Sequence, residues 1–334
     1  MKNQKILSVV IPSYNAASFL KETIPTLTSI SSKEDIEVLI VNDGSKDETL
    51  QVARELQKEY PEVVYIIDKE NGGHGSTINA GIREARGKYF KVVDADDWVD
   101  SNNFEKLVQF LHKTDVDEII SPYTDVYEQD GRREEINYFK NCSLKPYQDF
   151  DYADFLEHIQ ILPRMHSITI KTSILKDNNI KIDENMFYVD MEYIVFPAPF
   201  IKTIAYTPDS VYQYRRGYEG QSTSIQNYIK NRKMVYHVTF ALLDFYNKYT
   251  FPNILEKLVK ETIDRCVTIM TNVCLSMEDT KQGKKELLDF DQKLKSINSE
   301  FYYHKQGKKA KVLRYSNYLL FGLLSSYTKK SKRV

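Results

Sequence analysis

The chain has 334 residues, of which 42% are hydrophobic and 28% are charged, so one large globular domain or two ordinary ones are expected. The formal net charge of −1 argues against a general electrostatic attraction to nucleic acid. The three cysteines, Cys142, Cys266 and Cys274, form no C-x-x-C pair. This argues against a disulfide framework and a structural zinc site and favours a reducing compartment.

The N-terminal apolar run, residues 6–11, is too short for the core of a signal peptide. No later segment offers the roughly eighteen apolar residues that a membrane-spanning helix requires. We therefore expect a cytoplasmic protein.

Short apolar runs alternate with helical patterns up to about residue 125. The runs are rich in Val and Ile, as in strands that are buried on both faces of a parallel sheet. The sequence therefore predicts an α/β fold with a mostly parallel sheet flanked by helices. The predicted strands are 6–12, 36–43, 63–67 and 88–94, and the predicted helices are 16–30, 46–58 and 75–86.

A polar cluster follows each of these strands. The clusters are PSYN at 12–15, NDGS at 42–45, NGGHGS at 71–76 and DADD at 94–97. Sheets of this kind bind ligands beyond the carboxyl ends of their strands. Clusters at equivalent positions after successive strands therefore predict one ligand site along this edge.

The remaining chain has a mixed part and, from about residue 225, a helical part. This change of composition predicts a first domain over 1–220 and a helical region over 221–334. The expected elements are a hairpin that turns at Asp130-Gly131, a helix over 151–160, strands at 167–170, 203–207 and 210–216, and helices at 228–249 and 253–278.

Asp43 closes the second predicted strand, within NDGS. Asp-Gly is a common turn pair, and an ordinary turn is the first interpretation. The second is that the Asp43 carboxylate accepts hydrogen bonds from the edge of a flat ligand, such as the N–H of uracil.

The glycine-rich segment NGGHGSTINAGI spans 71–82. Its glycines permit a close backbone approach and the following helix N-terminus attracts anions, so it resembles a phosphate-binding loop. It lacks the Gly-Lys-Ser/Thr of a Walker loop, and Ile78 replaces the third glycine of the dinucleotide pattern. His74 is either a ligand or a solvated loop residue, and the second is the commoner case.

The carboxylates Asp94, Asp96 and Asp97 crowd into DADD at the end of the fourth strand. A polar loop that caps the next helix, with Asp97 or Asp100 as the N-cap, is one explanation. On an extended chain, Asp94 and Asp96 would point to the same side. Two hard carboxylates there suit Mg²⁺ or Mn²⁺, and a cation shared with a diphosphate would make the charge density tolerable.

Asp190 lies in FYVDMEY (187–193), just before an apolar run. It is well placed as a helix N-cap. It is equally well placed as a carboxylate that faces the metal site from a helix start and acts as a general base.

Together these segments resemble the family 2 glycosyltransferases of the GT-A fold. The resemblance covers roughly residues 5–216 and rests on the order and spacing of SVVIPSYN, VNDGSKDET, ENGGHGSTINAGIREARGKY, VVDADDW and the segment around Asp190. It implies a Rossmann-like, mostly parallel sheet flanked by helices. It also implies a nucleotide-sugar half of about 1–125 and an acceptor half of about 126–220.

The resemblance also implies roles for individual residues. Asp96 would ligate Mn²⁺ or Mg²⁺, and Asp190 would deprotonate the acceptor hydroxyl. The implied nucleotide-binding residues are Pro12, Ser13, Tyr14, Asp43, Gly73 and Asp94, the last of which would contact the ribose or the metal shell. Candidate contacts of the diphosphate or the acceptor are His74, Asp97, Arg215 and Arg216, with a surface role equally open for the two arginines.

The chain departs from the family pattern in three places. Ile78 stands where many relatives have Arg, so one expected cationic contact is absent. Val189 stands where the usual residue is Glu, which leaves Asp190, besides Glu192, as the candidate base. Gly217 stands where processive members have Trp, which argues against a membrane-embedded polymer synthase.

The implied reaction is a metal-dependent, inverting transfer of a sugar from a nucleotide-sugar, expected to be a UDP-sugar, to a glycan, lipid-linked or protein-linked acceptor. Two other classes stay open. A catalytically silent nucleotide-sugar-binding scaffold would have the same fold, but the intact Asp43, Asp94, Asp96 and Asp190 argue against it. A nucleotidyltransferase would need a basic, Gly-rich loop near the N-terminus, and PSYNAASF (12–19) contains no Lys, Arg or Gly.

The C-terminal tail is a separate signal. Residues 301–334 contain nine Lys or Arg and no Asp or Glu, and Leu320, Leu323, Leu324 and Tyr327 recur at helical spacing. The tail, through 305–334, either lies on a membrane surface with its basic residues on anionic lipids, or packs on the domain or on another subunit. The first alternative is a peripheral protein at the inner face of the plasma membrane, and the second includes a homo-oligomer.

Overall fold

The computed structural model describes residues 5–140, 142–217, 224–303 and 307–330. The chain divides into two compact units, Met1–Glu219 and Gly220–Val334. The strands, all in the first unit, are β1 (Leu7–Ser13), β2 (Ile36–Asp43), β3 (Val64–Lys69), β4 (Tyr89–Val92), β5 (Trp98–Val99), β6 (Glu118–Ile120), β7 (Tyr123–Tyr127), β8 (Arg133–Ile136), β9 (Phe150–Asp151), β10 (Ile168–Lys171), β11 (Thr203–Tyr206) and β12 (Tyr212–Arg216).

The helices belong to both units. Those of the first unit are α1 (Ala17–Thr28), α2 (Thr49–Glu59), α3 (Gly73–Glu84), α4 (Ser101–Leu111), α5 (Tyr152–Ile159), α6 (Thr172–Asp177) and α7 (Asp190–Val195). Those of the second unit are α8 (Ile225–Lys230), α9 (Arg232–Lys248), α10 (Asn253–Ser276), α11 (Thr280–Ile297), α12 (Ser299–Tyr303), α13 (Lys308–Tyr315) and α14 (Phe321–Lys330).

The central sheet of the first unit has the strand order β3-β2-β1-β4-β10-β6-β11-β9. The strands β3, β2, β1 and β4 are parallel to one another, whereas β10 and β9 run antiparallel to their neighbours. β1 and β2 are buried along their whole length, as their continuous Val/Ile runs predict. The expected α/β fold with a mostly parallel sheet is confirmed.

A second, smaller sheet has the order β5-β12-β7-β8. β7 and β8 form the expected antiparallel hairpin, and Gly131 in its turn adopts a φ of +70°, which glycine reaches without strain. β12 pairs with β5, so that Gln213 lies opposite Trp98. This pairing brings the strand that carries Arg215 and Arg216 against the residue that follows DADD.

The second unit is helical throughout its described residues. Its longest helix, α10, packs against α9, α11 and α14. The stretch predicted as one helix over 228–249 forms two helices, α8 and α9, because the helical conformation is interrupted at Asn231. Within the described ranges, no helix combines the length and the apolar character needed to cross a membrane.

The C-terminal tail consists of α13 and α14 joined by a turn. Asn317 and Tyr318 adopt left-handed φ angles of +49° and +61° in this turn, so the helical repeat does not continue through it. α14 begins at Phe321, and Leu320 therefore lies outside the helix, which corrects the single helical stripe expected for this region. Residues 305, 332 and 333 of the predicted basic tail lie outside the described residues.

Candidate active site

The predicted polar clusters share one edge of the sheet, because β3, β2, β1 and β4 are adjacent and parallel. We call this the ligand edge, meaning the carboxyl ends of these strands and the residues that follow them. The clusters after β1 and β2 are joined directly: Asn15 N donates to Ser45 Oγ at 3.0 Å, and Lys46 N donates to Asn15 Oδ1 at 2.9 Å. The prediction of one shared edge is confirmed.

Pro12, Ser13 and Tyr14 lie at the end of β1. Pro12 and Ser13 are buried, and Ser13 Oγ donates to the carbonyl oxygen of Ile11 at 3.0 Å. Tyr14 is 50% exposed. Of these three residues, Tyr14 therefore has the largest exposed surface.

Asp43 ends β2 and is buried. Its Oδ1 accepts hydrogen bonds from Lys69 Nζ at 2.7 Å and Gly72 N at 2.9 Å, and its Oδ2 accepts one from Gly73 N at 2.8 Å. The carboxylate thus neutralises a lysine and satisfies amides at the N-terminus of α3, the end of a helix that attracts negative charge. Asp43 therefore holds the glycine-rich loop in place, and the loop amides of Gly72 and Gly73 are engaged by protein.

The glycines of this loop are needed for close packing. Gly73 adopts a φ of +79°, and a Cβ on Gly75 would lie only 2.1 Å from the carbonyl oxygen of Asp183. Asn79 fixes the same contact, because its Nδ2 donates to Ile182 O at 2.8 Å and its Oδ1 accepts from Ile182 N at 2.9 Å. The chain that leads to α7 is therefore fastened to α3.

DADD forms a turn. β4 ends before Asp94, and Asp97 N donates to Asp94 O at 3.0 Å, which is the hydrogen bond of a β-turn. The expectation that Asp94 and Asp96 share one side of an extended chain is therefore wrong. Asp100 is the N-cap of α4 and accepts from Asn103 N at 3.0 Å, so the capping interpretation is correct for Asp100 and wrong for Asp97.

Asp97 is buried beneath the turn. Its Oδ2 accepts from Tyr212 Oη at 2.5 Å, and its Oδ1 accepts from Arg215 N at 2.7 Å. Burial, together with the neighbouring carboxylates Asp96 and Asp94, raises the pKa of Asp97 well above its usual range. Asp97 therefore connects the DADD turn to β12.

His74 points at Asp94, with its Nε2 2.8 Å from Asp94 Oδ1. Burial opposes the imidazolium form, but Asp94, with Asp190 and Asp96, outweighs burial and raises the pKa of His74. Burial likewise opposes the carboxylate form of Asp94, but His74 and His166 lower its pKa overall. Because His74 lies in the first turn of α3 and is paired, the solvated-loop interpretation is wrong.

His166 also lies beside the carboxylates of the DADD turn, a position that the sequence did not reveal. It lies two residues before β10, and the antiparallel pairing of β10 with β4 brings it to the DADD turn. Within the described chain, its buried Nδ1 has no hydrogen-bond partner. Burial lowers the pKa of His166 to about 4, so the ring is neutral at pH 7. A lone histidine before a strand carries no sequence signal for this position.

Three of these side chains fit a divalent cation. Asp94, Asp97 and His166 each offer a ligand atom, and these atoms lie within 4.8 Å of one another. Carboxylate oxygens and a neutral imidazole nitrogen suit Mn²⁺. A cation would also offset the repulsion from Asp96 and Asp94 that adds to burial in raising the pKa of Asp97. Asp96, the ligand expected from the sequence, is half-buried and is not a member of this group.

Asp190 is the first residue of α7, and Val189 occupies the N-cap position, so the N-cap interpretation is wrong by one residue. Burial raises the pKa of Asp190, and Asp94 raises it further, while His74 opposes the shift. Asp190 therefore interacts electrostatically with both His74 and Asp94. A carboxyl group with a raised pKa is suited to accept a proton near neutral pH.

The two arginines of β12 differ. Arg215 is enclosed: its guanidinium pairs with Glu22 at 2.7 Å and with Glu128 at 2.6 Å, and its Nε donates to Asp96 O at 2.6 Å. Arg215 therefore braces the DADD turn while it forms ion pairs with two exposed glutamates. Arg216 is more open, with 31% of its side chain exposed.

The model of the family described as Glycosyl transferase family 2 matches residues 8–173. The minor teichoic acid biosynthesis protein GgaB of Bacillus subtilis is 29% identical over 240 residues, which are 70% of this chain and 26% of that protein. The uncharacterised glycosyltransferase RP339 of Rickettsia prowazekii is 38% identical over 115 residues, which are 34% of this chain and 35% of that protein. The chain thus spans about a quarter to a third of the length of these relatives.

Solved structures share the fold at low identity. S. aureus TarS 1–349 in complex with UDP-GlcNAc is 16% identical with a TM-score of 0.67, over 98% of this chain and 91% of TarS 1–349. The mannosyltransferase PcManGT from Pyrobaculum calidifontis, in complex with GDP-Man and Mn²⁺, is 12% identical with a TM-score of 0.51, over 99% of this chain and 88% of that one. The expected GT-A fold is thereby confirmed.

Proposed function

The chain belongs to glycosyl transferase family 2, and we propose that it transfers a hexosyl or N-acetylhexosaminyl group from a UDP-sugar to a hydroxyl of a glycan. The observation that carries the proposal is a group of acidic and histidine side chains at the end of β4, which we call the carboxylate corner. Its members are Asp94, Asp96, Asp97 and Asp190 with His74 and His166.

The donor and acceptor classes are supported by similar proteins. The fold is shared with TarS, a structure of which contains UDP-GlcNAc. GgaB is named for minor teichoic acid biosynthesis. We propose a cell-surface polysaccharide or its lipid-linked precursor as the acceptor. A protein-linked glycan is the alternative acceptor.

Mn²⁺ or Mg²⁺ is the proposed cofactor of the carboxylate corner. Asp94 and His166 would hold the ion. The third ligand is Asp97, which their proximity favours, or Asp96, which the family resemblance favours. When bound, the cation would stabilise negative charge on the departing diphosphate.

The nucleotide is assigned to the part of the chain before about residue 125, and the acceptor to 126–220. The exposed ring of Tyr14 can stack on the base. Within the described residues, Oδ2 of Asp43 accepts one hydrogen bond, from Gly73 N, and an oxygen of a carboxylate can accept a second. Asp43 therefore keeps capacity for the N–H of uracil while it holds the loop.

Asp190 is the proposed general base. The acceptor hydroxyl loses its proton to the Asp190 carboxylate as its oxygen bonds to the anomeric carbon, and the bond from that carbon to the diphosphate oxygen breaks. A single displacement of this kind inverts the anomeric configuration. His74, which Asp94 favours in its charged form, adds positive charge beside the diphosphate.

The proposal is tested by a donor screen. The full chain is incubated with UDP-, GDP-, dTDP- and CMP-sugars, each with Mn²⁺ or with EDTA, and thermal shift and nucleotide release are measured. We expect one UDP-sugar to stabilise the protein and to yield UDP only with the metal. If a nucleotide-sugar binds and no acceptor or metal condition gives turnover, the protein is the silent scaffold instead.

A further inference from the structure

An apolar surface of the second unit stays exposed although the chain around it is folded. Tyr315, Leu319, Leu323 and Tyr327 are 93%, 83%, 72% and 65% exposed. Tyr315 ends α13, Leu319 lies in the turn, and Leu323 and Tyr327 lie in α14. We call these four exposed residues the tail surface. Four large apolar side chains exposed within residues 315–327 indicate an interaction site rather than the scattered exposure that is normal for proteins.

Other side chains of the tail contact α10 and α11 and hold the tail in place. Arg314 and Tyr318 both bond to the carboxylate of Asp291 in α11. Phe321 is buried, and Ser325 Oγ donates to a backbone carbonyl of α10 at 2.8 Å. The expectation that the tail packs on its own domain is therefore correct for these side chains. The tail surface is the side that this packing leaves in solvent.

Basic residues flank the tail surface in the sequence. Lys308 and Lys311 precede it and Lys330 follows it, and all three are exposed. No Asp or Glu occurs in 301–334, so no acidic side chain of the tail offsets them. Arg314 does not contribute, because it is enclosed in its ion pair with Asp291.

We propose that the tail surface docks on an anionic lipid bilayer. Its leucines would enter the boundary between headgroups and acyl chains, and the flanking lysines would contact anionic headgroups. The two tyrosines at the ends of the apolar row suit this boundary, where one part of a side chain is apolar and the other is wet. The proposal extends the proposed function, because a lipid-linked acceptor is met at a bilayer.

Charge argues against a second copy of the chain as the occupant. A two-fold interface centred on the tail surface would bring the basic residues of both tails together, and like charges that face each other weaken association. An anionic bilayer instead complements both the apolar row and the lysines. Self-association is kept as an outcome of the test.

The test is flotation of the full chain with lipid vesicles, either zwitterionic or containing about 30% anionic phosphatidylglycerol. The variant Leu319→Ser/Leu323→Ser removes the apolar contacts, and Leu288→Ser, an exposed leucine of α11, is the matched control. We expect binding to anionic vesicles that falls with salt, and at least a roughly tenfold loss in the double variant. The control variant should bind as the unchanged chain does. Circular dichroism and thermal unfolding confirm that each variant is folded.

Two results would overturn the proposal. One is equal vesicle binding by the double variant and the unchanged chain, or binding by neither. The other is a dimer in analytical ultracentrifugation that the double variant loses, which would make the tail surface an interface between copies. UDP release without vesicles is measured in parallel. Its failure with intact vesicle binding would contradict the proposed function and leave the docking surface standing.

Discussion

At the β2 end of the ligand edge, the carboxylate of Asp43 is surrounded by a lysine and backbone amides that neutralise it. At the β4 end, Asp94, Asp96 and Asp97 lie within one turn. The carboxyl group of Asp190 interacts electrostatically with Asp94. Two histidines face these four acidic residues, and one of them, His166, is held neutral by burial.

The two ends thus differ in what balances their negative charge: Asp43 is balanced by protein groups that it holds in place, whereas the carboxylates after β4 are proposed to hold a cation. A buried carboxylate whose charge is balanced by a lysine and backbone amides, such as Asp43, stabilises a loop without a cation. Burial raises the pKa of Asp97 and of Asp190, and neighbouring carboxylates raise both pKa values further. Such a group of carboxylates is stabilised when a cation joins it. Negative charge is therefore balanced by protein groups at the β2 end of the ligand edge. At the β4 end, a cation would balance it further.

The largest expected effect comes from Asp190→Asn in the carboxylate corner. We expect a loss of about a thousandfold in kcat for sugar transfer, because the substitution removes the proposed general base. The Kd for the UDP-sugar should stay within about threefold, since Asp190 is assigned to the acceptor. The measurements are transfer kinetics and donor titration calorimetry. Glu184→Gln, which changes an exposed carboxylate of the preceding segment, is the control, and a loss of donor binding in Asp190→Asn would contradict the assignment.

At the β2 end of the ligand edge, Asp43→Ala should lower the stability of the protein. The substitution leaves Lys69 and the amides of Gly72 and Gly73 without their acceptor, so we expect the free energy of unfolding to fall by about 2–4 kcal/mol. Urea unfolding of the full chain measures this change. Asp177→Ala, at an exposed position at the end of α6, should change it by less than about 0.5 kcal/mol. A fully stable Asp43→Ala protein would show that Asp43 does not hold the loop.

His166→Ala tests whether His166 belongs to the carboxylate corner. We expect Mn²⁺ to bind about 10–100 times more weakly, because a neutral imidazole ligand is lost. Titration calorimetry of Mn²⁺ in the presence of UDP measures this directly. His112→Ala is the control, since His112 pairs with Asp35 on the surface at 2.9 Å. Unchanged Mn²⁺ affinity in His166→Ala would remove His166 from the ligand set.

The smallest expected effect concerns Lys91, which is buried in β4 and donates to His166 O at 2.9 Å. Burial lowers the pKa of Lys91 to about 7 from an ordinary value of 10.5. Between these pH values the unfolded chain binds more protons at this residue than the folded chain, so Lys91 makes stability rise with pH. Lys91→Met should remove up to roughly 2 kcal/mol of this rise between about pH 7.5 and 9.5.

Urea unfolding at both pH values tests this, with Lys113→Met as the control at an exposed lysine. An identical pH dependence for Lys91→Met and the unchanged chain would show that Lys91 stays charged in its buried position.

The fold was predictable from the sequence where the signal is local. The Val/Ile runs of β1 and β2 and the polar residues after them were enough to predict the ligand edge. The glycine-rich loop was recognised, but the partner of its amides was not, because Asp43 reaches them from another strand. Helix α3 was predicted to begin at 75 and begins at Gly73, since Asp43 satisfies its first amides.

The carboxylate corner was predicted only in part. The sequence predicts an extended DADD, whereas the structure has a turn hydrogen bond between Asp97 and Asp94. Asp97 also bonds to Tyr212 and Arg215, which are distant in the sequence. His166 reaches the corner through the antiparallel pairing of β10 with β4, a contact between distant parts of the chain that no local pattern encodes.

We propose that the carboxylate corner becomes a donor site when a divalent cation joins it. The most direct measurement is calorimetric titration of the full chain with UDP, once with Mn²⁺ and once with EDTA. We predict that Mn²⁺ tightens UDP binding by at least about tenfold, because a cation held by the aspartates would offset the negative charge of the diphosphate. Equal affinity for UDP with Mn²⁺ and with EDTA would contradict the account.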